Sequence, residues 1–178
     1  KSLNLHNDSD YDEAITLINM SLCYAYKSNF SVAQNFVSRA LAQCNDDCSK
    51  QLQMYASFCS GFIAFGLKEI SVAETQFKRS YRLASELADE RYQLDNIFYM
   101  SKVYLMTGKI DAAKNLLEEG EKLISSGVSY NLGLIQVYSE LVNLYKMSGD
   151  FEQVAWYQQK YIQLKDSIYG EELTRNLM

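Results

Sequence analysis

The chain has 178 residues and a net charge of −5 at pH 7, about one domain's worth on the usual scale of roughly 100–200 residues. It has no proline and eight glycines, which excludes collagen-like, proline-rich and linker-like chains and disfavours a sandwich or barrel rich in Gly/Pro turns. Its acidity is spread evenly with no basic stripe, so direct nucleic-acid binding is not expected, and no run approaches the roughly 18 apolar residues of a membrane span.

Apolar residues recur at helical spacing throughout, and the strict alternation of strands is missing. The first helix is predicted over 10–28. Asp8, Asp10, Asp12 and Glu13 crowd its start, where the helix dipole favours acids. A calcium loop would also need a glycine and a distal glutamate. The second helix is predicted over 30–44 and the third over 48–67, the latter rich in aromatic residues. The fourth and fifth follow over 70–88 and 90–107. Ile97, Met100, Val103 and Tyr104 give the fifth one apolar face, and Gly108 ends it, since glycine tolerates the left-handed turn that closes a helix. The sixth spans 110–126 with Asp111 in its first turn, the seventh 130–148 and the eighth 151–167.

The chain repeats itself. Ala33/Val37, Ala73/Phe77 and Ala113/Leu117 fall 40 residues apart, and Val154 follows Ala113 by 41. A turn precedes each: Ser28-Asn29-Phe30, Lys68-Glu69-Ile70, Gly108-Lys109-Ile110 and Gly149-Asp150-Phe151. Tyr24, Tyr104 and Tyr145 recur four residues before the turn, with Ala64 in their place in the second repeat. Fixed landmarks at a period of about 20–50 residues signal stacked repeats. Here each repeat is two helices, and the alanines are read as the places where two backbones approach closely.

The four cysteines are Cys23, Cys44, Cys48 and Cys59, with no C-x-x-C pair. Cys44 and Cys48 flank Asn-Asp-Asp in an interhelical turn. Three readings stay open: half-buried free thiols, a disulfide in an oxidising compartment, or a zinc site. The last is disfavoured by spacing and by His6 being the only histidine.

The landmarks resemble the tetratricopeptide repeat, W-x2-L-G-x2-Y…A-x3-F…P over roughly 34 residues. The L-G-x2-Y part reads Leu141-Val142-x2-Tyr145, Met100-Ser101-x2-Tyr104 and Met20-Ser21-x2-Tyr24; the second repeat keeps the glycine as Ser60-Gly61. The A-x3-F part is intact as Ala73-x3-Phe77. The departures are a 40-residue period and the absence of the closing proline, replaced by Asn45, Ser85, Ser125 and Asp166, residues that break or cap helices. The stretch from Trp156 to Tyr169 resembles the last repeat helix of Bacteroidetes sensor histidine kinases and helix-turn-helix regulators. The resemblance implies an all-α fold, a right-handed superhelix of about four antiparallel helix pairs. Residues 1–169 would form the repeat domain, with repeats at about 10–45, 48–88, 90–126 and 130–167. Residues 170–178 would begin a linker helix. It also implies a non-catalytic protein- or peptide-binding domain, the sensor or scaffold part of a bacterial signal-transduction or transcription-regulatory protein. The compartment would then be periplasmic, with cytoplasmic as the alternative, and no cofactor or metal is expected. A homo-oligomerisation module or soluble adaptor is the rival reading.

In such repeats the first helix of each pair lines the concave face. Carried onto this chain, the groove positions are Ile18, Leu22 and Ala25; Tyr55, Phe58, Phe62 and Phe65; Asp95, Phe98, Lys102 and Leu105; and Gln136, Ser139, Asn143 and Lys146. The aromatic set Tyr55, Phe58, Phe62, Phe65 and Phe98 either binds something apolar or is buried by the rest of the fold. Lys102, Asn143 and Lys146 form the polar end. The first helix is apolar nearly all round, so either further repeats precede Lys1 or that helix pairs with another chain. No enzyme motif survives inspection. Gly61-x4-Gly66 continues as Leu67-Lys68-Glu69, not Gly-Lys-Ser/Thr, and His6 has no nucleophile or acid pattern around it.

Overall fold

The computed structural model describes residues 5–43, 48–125 and 131–176. Among them there are eight α-helices and no strand: α1 (Leu5–Tyr26), α2 (Phe30–Ala42), α3 (Lys50–Gly66), α4 (Ile70–Glu86), α5 (Glu90–Met106), α6 (Ile110–Ser125), α7 (Asn131–Ser148) and α8 (Phe151–Asn176). These match the eight helices read from periodicity, with two differences at the ends. α1 begins at Leu5, so the acidic cluster lies within its first turns. α8 runs to Asn176 without a break at Asp166. A polar residue in a helix does not end it unless the backbone leaves the helical region, and nothing near Asp166 forces that. Ser85 likewise sits inside α4, its hydroxyl donating back to the Tyr81 carbonyl at 3.0 Å. Asn45 lies outside the described residues.

The repeat landmarks are explained by one turn used four times. Ser28, Lys68, Gly108 and Gly149 take left-handed φ values of 59, 64, 72 and 76°. The next residue's amide then donates back to a carbonyl of the helix just ended. The pairs are Asn29 to Tyr24 at 2.9 Å, Glu69 to Ala64 at 2.8 Å, Lys109 to Tyr104 at 2.9 Å and Asp150 to Tyr145 at 3.0 Å. That closure satisfies a carbonyl the helix end would otherwise leave unpaired. The carbonyls of the same four residues accept the first bonds of the following helices, from Ala33, Ala73, Ala113 and Val154. The amide and the carbonyl of a single residue therefore close one helix and open the next, which fixes the spacing from the tyrosine column to the alanine column. The turn between α4 and α5 repeats the closure, with Ala88 at φ 52° and Asp89 donating to Ala84. Asp89 also caps α5, its side chain accepting from the Tyr92 amide at 3.0 Å.

The chain divides into two compact units, residues 1–92 and 93–178. In the first, α1 pairs with α2 and α3 with α4, and α3 also packs on both helices of the first pair. Leu17, Ile18, Val37, Leu52, Cys59 and Ile63 fill the core around the fully buried Ala33 and Ala40. Burying each large side chain contributes about 1.5–3 kcal/mol. Two hydroxyls tie the pairs from inside: Ser21 donates to the Ala33 carbonyl at 2.9 Å and Ser80 to the Met54 carbonyl at 3.1 Å. The close approach of α3 and α4 is made at Gly61, where a Cβ would lie 2.8 Å from the buried Phe77 ring.

In the second unit, α7 packs on both α6 and α8. Leu94, Ile97, Val103, Leu117, Val137, Leu141 and Leu144 are buried. Gly120 of α6 lies where α5 and α7 converge; a Cβ there would meet Ile97 at 3.1 Å and Val137 at 3.4 Å. Tyr145 and Tyr157 stack with centroids 5.5 Å apart, and Glu121 accepts from both Tyr157 and Lys160, linking α6 to α8.

Candidate functional site

In the first unit the aromatic residues of α3 divide between core and surface. Phe58 is not a groove residue: it is 4% exposed and packs against Phe77 and Tyr92 with centroids at 5.9 and 5.3 Å. Ile18 and Ala25 are likewise buried. Helical spacing places all of them on the first helices of their pairs but does not separate the face turned to the partner helix from the face turned outward. Tyr55, Phe62, Phe65 and Leu22 are half-buried. Phe62 of α3 packs on the exposed Tyr26 of α1 at 4.8 Å. Further along the same two helices, the Tyr11 hydroxyl donates to Gln51 at 2.7 Å, and the Gln51 amide donates to the Tyr55 hydroxyl at 2.8 Å. The open face of α1 and α3 is thus aromatic and carries hydroxyl groups.

In the second unit the structure brings Lys102 of α5 to Glu140 of α7, with the Phe98 ring beside Lys102 on α5. Lys102 Nζ lies 4.9 Å from the Phe98 ring centroid and 3.7 Å from Glu140 Oε1. Glu140 is the residue that the sequence reading did not single out. It is 8% exposed and is the only charged residue buried among the described residues. Burial pushes its carboxyl above the ordinary carboxylate value, opposed by the Lys102 charge and by hydrogen bonds from Lys102 and Asn143. One turn before it on the same face of α7, the half-buried Gln136 has a buried Oε1 without a hydrogen-bond partner. Ser139 is half-buried, and Asn143 and Lys146 are exposed. Lys102, Glu140 and Asn143 therefore form a polar cluster between α5 and α7, with the Phe98 ring beside Lys102, Gln136 one turn before Glu140 and Lys146 one turn beyond Asn143. The signal for Glu140 was present in the sequence. It is a lone acid within Val137-Tyr138-Ser139-Glu140-Leu141, three residues from one core position and four from another.

α8 has its own exposed apolar residues, Phe151 at 73%, Trp156 at 48% and Ile162 at 49%. Lys160 covers the Trp156 ring, its Nζ 3.6 Å from the centroid, while pairing with Glu121.

The cysteines separate by chemistry. Cys23 is exposed and free, and Cys59 is buried and free. Cys48 is held in a disulfide, and Cys44 lies outside the described residues. Burial pushes the Cys59 thiol well up, so it stays protonated. Among the described residues no group of three His, Cys, Asp or Glu side chains is placed to hold a metal ion. No described helix is long and apolar enough to cross a membrane.

The sequence matches no protein-family model and no curated protein. The fold is similar to a solved structure, that of aspartyl phosphate phosphatase F from Bacillus subtilis. The superposition has a TM-score of 0.80 at 12% sequence identity and covers 89% of this chain. The chain spans 41% of the length of that structure. At that identity the likeness carries the fold and not the reaction: the chain has a tetratricopeptide-like helical repeat fold.

Proposed function

We propose that this is a non-catalytic repeat domain that binds a protein or an extended peptide on the open faces of its first helices. It would serve as the sensor or scaffold part of a bacterial signal-transduction or transcription-regulatory protein. The observation that carries the reading is the α5/α7 patch. There the carboxylate of Glu140, nearly withdrawn from water, meets the half-exposed Lys102 at 3.7 Å, a polar pair at the edge of an open helix face of the kind that exchanges partners with a ligand. Helical repeats place such surfaces side by side, and extended partners use them. The disulfide at Cys48 supports an oxidising compartment and hence the periplasmic reading.

The test is selection of a random peptide library displayed on phage against the 178-residue chain, repeated on the variant Asn143→Ala/Lys146→Glu. Both substituted side chains are exposed, so the fold is expected to survive. Peptides that bind the wild type and lose about tenfold or more on the variant would support the proposal. Peptides that bind both proteins equally would contradict it.

A second reading, self-association, is favoured by the exposed Phe151, Trp156 and Ile162 of α8. Sedimentation equilibrium would show a dimer that Trp156→Ala weakens; a monomer at high concentration would contradict it.

A further inference from the structure

We infer that the Glu140 patch is a cation-recognition site occupied by the chain's own Lys102, and that it selects a ligand residue bearing a guanidinium. The inference rests on the proposed peptide-binding role and names what that face reads.

The two partners are unequal. The Glu140 side chain is 10% exposed and the Lys102 side chain 38% exposed. Glu140 therefore has little access to water and depends on donors supplied around it. Lys102 is half-solvated on a flexible four-carbon stem. Its 3.7 Å separation from Oε1 exceeds the roughly 2.7–2.9 Å of a well-formed charge-assisted bond. A pair that loose and that exposed on one side is worth little, so Lys102 is a weak resident that an incoming cation can displace into solvent. Displacing it frees a position 3.7 Å from Glu140 Oε1 and 4.9 Å from the Phe98 ring centroid. A carboxylate beside an aromatic face suits arginine better than lysine. The planar fork takes both carboxylate oxygens at once and also stacks on the ring.

The experiment uses two fluorescein-labelled, end-capped hexapeptide pools. One carries arginine and the other citrulline, its neutral isostere, at the third position, with uncharged residues elsewhere. Fluorescence anisotropy is read with the wild-type chain, Glu140→Gln, Lys102→Met and Asn143→Ala. The arginine pool is expected to bind the wild type about tenfold or more tightly than the citrulline pool, the ratio expected for losing a hydrogen bond to a charged group. Glu140→Gln should abolish that ratio, and Lys102→Met, which removes the resident cation, should tighten arginine binding severalfold. Should Glu140→Gln fail to fold, the direction of the Lys102→Met change still decides. Equal binding of the two pools, or Lys102→Met weakening or not altering arginine binding, overturns the inference. If the pools bind equally and Asn143→Ala weakens both, peptide binding stands and only cation selection falls. If neither pool binds, both fall together.

Discussion

The Phe30 ring at the start of α2 fills the space that Gly66 leaves open at the end of α3: a Cβ on residue 66 would overlap the ring. One repeat is seated on the next through a missing side chain. Gly66→Ala is expected to destabilise the fold by about 1 kcal/mol, because the half-buried ring has some freedom to swing aside. Gly61→Ala meets the fully buried Phe77 ring instead and should cost about 2–3 kcal/mol. Urea denaturation of both variants measures the ranking. In a double-mutant cycle, Phe30→Ala should recover most of the Gly66→Ala loss, and additive losses would contradict the contact.

At the left-handed turn positions, adding and removing a side chain act in opposite directions. Gly108→Ala and Gly149→Ala should each cost about 1 kcal/mol through backbone strain alone, since an added Cβ meets nothing within 4 Å at either site. Both sites are open, so the left-handed conformation is the whole constraint. Lys68→Gly should stabilise by up to about 1 kcal/mol, because lysine there sits at φ 64°. Thermal melting of the three variants checks the signs.

Glu140 gives the fold a pH dependence of definite sign. Its folded-state carboxyl titrates above the unfolded value, so the folded state holds that proton more firmly. Stability from this group is present below the ordinary carboxylate value and is lost as pH rises through the raised folded value. Relative to Glu140→Gln, the wild type should therefore gain melting temperature as pH is lowered through that window. A constant difference, or one that shrinks on acidification, would contradict the burial of the charge.

Alkylation separates the thiols. Iodoacetamide on the native protein should label Cys23 and spare Cys59, which is buried with its thiol held protonated. Cys48 should be labelled only after reduction. Peptide mass mapping before and after reduction reads all three. Labelling of Cys59 at the rate of Cys23 would mean that the α1/α3 core opens.

The helix pairs were legible because the turn that makes them is local. A tyrosine, a left-handed residue and an alanine nine places after the tyrosine follow from two backbone bonds made by one residue. Gly108 and Gly149 declared their turns, whereas Ser28 and Lys68 were found only by repetition. What was not legible depends on neighbours distant in sequence. Phe58 and Phe62 lie four residues apart on α3 and read alike, yet α4 and Tyr92 cover one while the other meets the exposed Tyr26. Glu140 reads as a surface acid until Lys102, 38 residues earlier, is brought to it. The run of α8 past 167 was not legible because Asp166 suits a helix end as well as an exposed helix face.

Ligand binding on the open face of α5 and α7 can be read by photocrosslinking. Benzoylphenylalanine is placed at Ser139, half-buried on that face, and separately at the exposed Trp156 of α8, with a peptide recovered from the displayed library as the ligand. On irradiation a covalent adduct is expected from position 139 and none from position 156. An adduct from 156 alone, or from both positions equally, would contradict it.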